Sequence, residues 1–316
     1  LEFRRVLFRS LLLLFLLAGG AIICAIRWQA WFGMPAEPHW NGETIDYVFT
    51  TFEQDTTPQS LDILVLGDIH NQLTRADYDT LAFRLPQADL VAQTGDWMER
   101  GQVYYRQLLL REWSNSRLYG MPAIVCPGNH EYSKGLRKTL SDAWSDTFTY
   151  PHNGPVGVPG ANYYIDMPDL RFVVIDTNPL DRLVYLTRTA TWLEKIMKEA
   201  GNRYVAVMMH HPVHSAGKGR ANPLIYSAFR HALGQADLVL AGHDHSYMRH
   251  APFVVLNTAG KPKPQRPHLH AEATDTVPVY GVIHISDPES EKSCLLFKVY
   301  RLGDNTLVDS LYVSHD

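Results

Sequence analysis

The sequence predicts an α/β domain built from two packed sheets, with its chemistry on one rim. Three observations lead there. Strand-length apolar runs alternate with helical spacing in the order β-α-β-α-β, which favours right-handed crossovers and a parallel sheet. Five apolar runs end in polar clusters: Gly67-Asp68-Ile69-His70, Gly95-Asp96, Gly128-Asn129-His130-Glu131, His210-His211-Pro212 and Gly242-His243-Asp244-His245. The chain also carries 15 histidines, several of them inside those clusters.

The elements follow in order. Residues 61–66 are an apolar run and read as a buried strand whose tip carries Asp68 and His70. Residues 73–85 have helical spacing and stop at Pro86. The next strand, 88–94, turns at Gly95, where the absent Cβ lets the backbone approach a ligand closely, and presents Asp96. An amphipathic helix over 102–118 and a strand over 122–126 lead to the Asn129-His130-Glu131 cluster.

Beyond it, 150–160 is a Gly/Pro-rich loop, and 162–167 with 170–176 form a hairpin around Pro168-Asp169. A helix over 187–200 buries Trp192, Leu193 and Ile196. A strand over 204–209 ends at His210, a helix covers 223–234, and a strand over 237–241 ends at Gly242. Short strands at 253–257, 279–286, 294–301 and 306–313 complete the domain, and 261–276 reads as a mobile insertion.

The bulk numbers set limits. With 316 residues, 46% of them hydrophobic and 20% charged, the composition is that of a globular chain with ample core. With a net charge of -4 and no basic stripe, no nucleic-acid partner is expected. Cys24, Cys126 and Cys294 are an odd set without Cys-x-x-Cys spacing, so they build neither a disulfide framework nor a zinc knuckle.

The N-terminus is read separately. Residues 1–10 match the translation of a common short-read sequencing adapter and are excluded from fold reasoning as an assembly artefact. Residues 11–26 are apolar and uncharged, and Arg27, Trp28, Trp31 and Phe32 make an interfacial belt. The expectation is an uncleaved transmembrane anchor over 11–32, a tether over 33–60 and a domain over 61–316. The tether side carries Glu37, Glu43, Asp46, Glu53 and Asp55 and no Lys or Arg, so it faces outward. That places the domain in a bacterial cell envelope, outside the cytoplasm.

The candidate ligands are Asp68, His70, Asp96, Asn129, His210, His243 and His245. Carboxylate, amide and imidazole without thiolate suit Mn, Fe, Zn, Co or Ni. Two such ions need a bridging carboxylate, and a hydroxide between them is a nucleophile for attack on phosphorus near neutral pH. Arg100, His211 and His214 are candidates for phosphate contact, Arg for its bidentate grip.

Asp68-Ile69-His70, Gly95-Asp96 with Arg100, Gly128-Asn129-His130-Glu131, His210 and Gly242-His243-Asp244-His245 stand in one order. Over about residues 61–250 the chain resembles the calcineurin-like metallophosphoesterases. The resemblance implies a four-layer α/β/β/α sandwich and two divalent ions. Asp68, His70, Asp96 and His245 would hold one, and Asp96, Asn129, His210 and His243 the other, with Asp96 bridging. It implies that His130 lies beside the phosphate and protonates the leaving oxygen or stabilises the developing charge, that a metal-bridging hydroxide attacks, and that His211 faces the substrate or backs the ligands.

Two departures stand out. The family often carries a second Asp three residues after the bridging one, and here that residue is Glu99. Purple acid phosphatases place a tyrosine there, so an Fe(III)-tyrosinate site is not expected. The implied reaction is hydrolysis of a phosphate ester or pyrophosphate bond in a phosphorylated small molecule or lipid-linked substrate. The alternatives are a catalytically inactive interaction scaffold on the same fold and a mononuclear zinc hydrolase, the latter without the His-Glu-x-x-His it needs.

Overall fold

In a computed structural model the described residues are 45, 47–49, 60–133, 138–158, 160–179, 183–215, 222–265, 271–286 and 293–315. The expected artefact, the anchor over 11–32 and most of the tether lie outside them. Among the described residues no helix is long and apolar enough to cross a membrane.

The first sheet takes β1 (Leu61–Leu66), β2 (Leu90–Gln93), β3 (Ala123–Val125), β11 (Val279–Ile285), β12 (Leu295–Arg301) and β13 (Leu307–Val313) in the order β13-β12-β11-β1-β2-β3. Its β1-β2-β3 half is parallel, and β11, β12 and β13 add antiparallel strands. The second sheet takes β4 (Tyr163–Asp166), β5 (Leu170–Ile175), β6 (Tyr204–Met209), β7 (Leu238–Ala241), β8 (Tyr247–His250), β9 (Phe253–Val255) and β10 (Ala273–Asp275) in the order β10-β8-β9-β7-β6-β5-β4. The helices are α1 (Arg75–Arg84), α2 (Val103–Ser114), α3 (Asp142–Ser145), α4 (Leu183–Lys198) and α5 (Pro223–Leu233).

Strand periodicity sorts the side chains into three cores. Along β1, Ile63 and Val65 point between the sheets, where they join Phe172, Val174, Met208, Leu240 and Phe297. Leu64 and Leu66 point the other way, onto Tyr78 and Leu81 of α1 and Leu109, Leu110 and Trp113 of α2. Val173, Ile175, Val207 and Met209 face Leu193 and Ile196 of α4 and Ile225 and Phe229 of α5. Helices therefore lie outside both sheets, and the architecture is a four-layer α/β/β/α sandwich.

Local chemistry sets the helix ends. Thr74 and Asp77 form a reciprocal capping box at the start of α1. Asn222 accepts from the amides of Leu224 and Ile225, and Pro223 opens α5.

Several expectations change. The stretch expected as tether carries Phe49, which is 1% exposed and packs against Trp97, Trp113 and Phe148. Ile45 and residues 47–49 thus belong to the helical layer of the first sheet, tied by reciprocal hydrogen bonds between the Ile45 backbone and the Gln107 amide. Segment 261–276 is not simply an insertion: Ala273–Asp275 pairs antiparallel with β8, and the Gln265 amide donates to the carbonyls of Tyr247 and Asp275. On α4 the buried stripe is Tyr185, Thr189, Leu193, Ile196 and Met197; Trp192 is half-buried beside it, its indole donating to the carbonyl of Asn153.

Candidate metal centre

All five polar clusters follow the carboxyl ends of β1, β2, β3, β6 and β7, and those ends converge. The tips are tightly folded. Asp68, His70, Asp96, His243 and His245 all sit in the left-handed region, with φ from 48° to 72°. Such residues are held only where the surroundings over-determine them. The glycines leave the room: a Cβ on Gly128 would lie 2.1 Å from Asp96 Oδ1, and one on Gly242 would lie 2.7 Å from Asp68 Oδ2.

One group is Asp68, His70, Asp96 and His245, all buried, with one ligand atom from each lying within 4.8 Å of the others. His70 Nε2 is 3.1 Å from His245 Nε2 and 3.7 Å from Asp96 Oδ2, and His245 Nε2 is 3.7 Å from Asp68 Oδ1. His245 Nδ1 faces the carbonyl of Lys261 at 2.9 Å, which turns its Nε2 inward.

The second group is His210, His211 and His243. His210 Nε2 lies 3.2 Å from Asn129 Oδ1, 3.2 Å from His243 Nδ1 and 3.3 Å from Asp96 Oδ2. Its Nδ1 is 3.0 Å from the carbonyl of Thr94. Asp96 Oδ2 faces rings of both groups, and Asp96 Oδ1 accepts the backbone amide of His130 at 2.9 Å.

The electrostatics separate the two carboxylates. Burial pushes Asp68 up to about 7. Burial also acts on Asp96, but His210 beside it outweighs that and holds its carboxyl well below the usual range. His210 is driven up to about 9, since the adjacent Asp96 overcomes its own burial. Asp68 Oδ2 is buried without a hydrogen-bond partner among the described residues. An orphaned carboxylate oxygen and inward-turned imidazole nitrogens are what a divalent ion of borderline softness takes. The donor set fits such an ion.

The expected ligands are thus brought together, and His211 joins them. Its ring packs at 4.5 Å from that of His243, and Thr177 Oγ1 lies 3.0 Å from its Nδ1. His130 borders the first group, its ring 4.5 Å from that of His70. Arg100 is half-buried beside Glu99, and its charge helps to lower the Glu99 carboxyl after the stronger effect of His70. His214 is placed differently, its ring packed on those of His250, Phe253 and Tyr226.

Two residues took no role in the sequence reading. The Glu131 carboxylate, fully buried, accepts the amides of Asp96, Gly128 and Met98 at 2.9, 2.7 and 2.9 Å. It clamps the β2 tip to the β3 tip, and burial pushes it up to about 7. Its place after His130 was a usable signal. Thr177 sits just past β5 in the polar run Asp176-Thr177-Asn178, a strand-tip cluster without histidine that the sequence reading passed over.

An α/β/β/α sandwich with an Asp/His cluster on its strand tips defines a metallohydrolase of phosphoesters. Residues 61–247 match the calcineurin-like phosphoesterase family, and the chain belongs to it. It is a hydrolase acting on phosphoester bonds. A glycerophosphodiester phosphodiesterase, GpdQ of Enterobacter lignolyticus, is 25% identical over 219 residues, 66% of this chain and 72% of that one. Two solved structures share the fold. Purple acid phosphatase PPD1 of yellow lupin matches with a TM-score of 0.62 at 14% identity, covering 83% of this chain and 55% of that one. GAP50, the anchor in the inner membrane complex of Plasmodium, matches with a TM-score of 0.58 at 13% identity, covering 82% and 90%.

Proposed function

We propose that the chain is a dinuclear phosphodiesterase of phosphorylated small molecules or lipid-linked substrates. The observation that carries this is Asp96, whose one oxygen faces both His70 and His210 at 3.7 and 3.3 Å. Asp68, His70, Asp96 and His245 would hold one divalent ion; Asp96, Asn129, His210 and His243 would hold the other. Ions bound there would supply charge neutralisation for phosphate oxygens and would lower the pKa of a bound water towards neutral. The glycerophosphodiester relative supports a diester as the substrate.

The chain's own residues do the rest. The Asp96 carboxylate takes the His130 amide, which fixes that backbone beside the cluster. His130 Nδ1 lies 2.6 Å from the carbonyl of Glu99, so Nδ1 carries the hydrogen and Nε2 is the atom that exchanges a proton. Burial draws this histidine below the ordinary imidazole range, and an anionic phosphate beside it pulls it back. His130 Nε2 then hands its proton to the leaving oxygen.

GAP50 serves as an anchor, and it represents the scaffold alternative on this fold. The converging ligand set supports the enzyme here. The apolar segment over 11–26, outside the described residues, supports an envelope protein anchored at its N-terminus.

The test is turnover of bis-p-nitrophenyl phosphate, p-nitrophenyl phosphate and a nucleoside diphosphate sugar after chelation and with added Mn2+. Mn-dependent turnover, fastest on the diester and reduced at least ~1,000-fold by Asp96→Asn, is expected. Turnover surviving that substitution rejects the bridging role. A folded protein with neither turnover nor Mn2+ binding is the scaffold.

A further inference from the structure

Four ring histidines of the centre depend on what holds Nδ1. Three of them lean on main-chain carbonyls: His210 on Thr94, His245 on Lys261 and His130 on Glu99. Of these four, His70 has a carboxylate there instead. Its Nδ1 lies 3.2 Å from Glu99 Oε2, in a site where the His70 side chain is 5% exposed and that of Glu99 39%.

Glu99 itself is fixed from behind. Its amide donates to Asn71 Oδ1 at 2.7 Å, and Asn71 Nδ2 donates to the carbonyl of Tyr105 at 2.9 Å. Asn71 is in turn left-handed, at φ 56°, with its amide on the carbonyl of Trp97 at 3.0 Å. The loop after β1 therefore holds Glu99 from its amide, while Glu99 holds a ring of that same loop with its carboxylate.

We infer that Glu99 is a positioning residue that sets the tautomers of His70 and His130 together, the first with its carboxylate and the second with its carbonyl. This rests on the metal-centre reading above. The Glu99 carboxylate lies within ion-pair range of His70 Nδ1 and its carbonyl within hydrogen-bond range of His130 Nδ1, and since both can only accept, both favour the hydrogen on Nδ1. Each Nε2 is then left with its lone pair when the ring is neutral. For His70 that lone pair points among His245, Asp96 and Asp68, where a ligand must point. For His130 it faces Asp96 Oδ2 at 4.0 Å, and it must take up a proton before that atom can give one to a leaving oxygen. A carboxylate behind a ligating imidazole fixes the ring and raises its basicity.

The inference accounts for the residue type. An Asp at 99 ends one methylene earlier and falls short of His70, while its carbonyl still serves His130. Glu99 is thus the acid whose length suits the second task.

The experiment reads the rings directly in metal-free protein, by 15N NMR of the histidine side chains, and then titrates Mn2+ by calorimetry. In the unaltered chain His70 and His130 are both expected as the Nδ1-H form. In Glu99→Ala, His70 becomes a tautomer mixture and His130 does not change. One of the two Mn2+ equivalents weakens about 10–100-fold, and the other is unchanged. Glu99→Asp behaves like the Ala variant. Glu99→Gln, which keeps an acceptor of the right length, restores the His70 tautomer and most of the affinity.

An unaltered His70 tautomer together with unaltered Mn2+ affinity in both Glu99→Ala and Glu99→Asp overturns the inference. Equal weakening of both equivalents overturns it as well. If the unaltered chain binds no Mn2+, the dinuclear reading fails, while the tautomer measurement still decides the part played by Glu99.

Discussion

Asp68, His70, Asn71, Asp96, His243 and His245 all hold φ between 48° and 72°, a conformation that disfavours an L-residue by roughly 1–2 kcal/mol. The strand tips carry this strain because each ligand must turn back over its own strand. The neighbouring glycines make the turn possible by close approach, not only by torsion. Gly128→Ala would drive a Cβ to 2.1 Å from Asp96 Oδ1. A loss of about 3 kcal/mol and of Mn2+ binding is expected, read by urea unfolding and calorimetry. Gly201, with φ +68° and nothing within 4 Å of its would-be Cβ, is the control. Its change to Ala meets only the torsional term, about 1 kcal/mol, and leaves metal affinity unaltered.

At this scale the ligand types were legible because their clusters each follow an apolar run, four of the five with a glycine at the turn. Glu99 was visible only as a departure from the usual Asp, since its target, His70, lies on another strand tip. Thr177 was passed over because its run, Asp176-Thr177-Asn178, follows an apolar strand but carries no histidine. His214 follows His210 and His211 in sequence, but the chain carries it towards His250 and Phe253.

Among the elements, the segment at 45–49 departs most from expectation. Its surroundings in sequence are polar and Pro/Thr-rich, so a tether was the natural reading. One aromatic residue reverses it: Phe49 fills a cluster with Trp97, Trp113 and Phe148 at ring separations of 4.9–5.0 Å. Phe49→Ala is expected to destabilise the fold by about 3–5 kcal/mol, measured by thermal or urea unfolding. A loss under about 1 kcal/mol would show that the segment is a loosely held extension. The long strands and amphipathic helices were readable from their periods. The short β8 and β10 were not: β10 has the sequence Ala-Thr-Asp, and only its pairing with β8 makes it a strand. Four-residue α3 is held by its Ser141 cap and by Trp144 in the core, and neither gives a period.

For the whole molecule, the edge of the sandwich is closed by ion pairs between sheets. Arg249 of β8 donates from Nε to Asp309 of β13 at 2.6 Å, and Tyr247 donates to the same carboxylate at 2.8 Å. Burial acts to raise the Asp309 pKa, but the bonds from Arg249 and Tyr247 prevail and lower it. A carboxyl depressed in the folded state stabilises fully above its unfolded value of roughly 3.9. That contribution is lost as the pH falls through the lower, folded value. The stability gap between the unaltered chain and Arg249→Gln, from urea midpoints, should hold steady over pH 5–8 and shrink below about pH 4. A gap that persists at pH 3 would place the effect in packing of the arginine stem instead.

The order of strands in the first sheet has a further consequence, for synthesis. β1 lies in the middle, with β2 on one side and β11 on the other. β2 is made soon after β1, but β11 spans residues 279–285, far downstream of β1 and after every proposed ligand. A nascent chain therefore holds every proposed ligand, the last being His245, while one edge of its first strand still lacks a partner. Pairing of that edge must wait for long-range closure, which is slow, and a bare strand edge recruits other chains in the interval. The ligand set is complete once His245 is made, whereas the sheet that aligns it must still wait for β11.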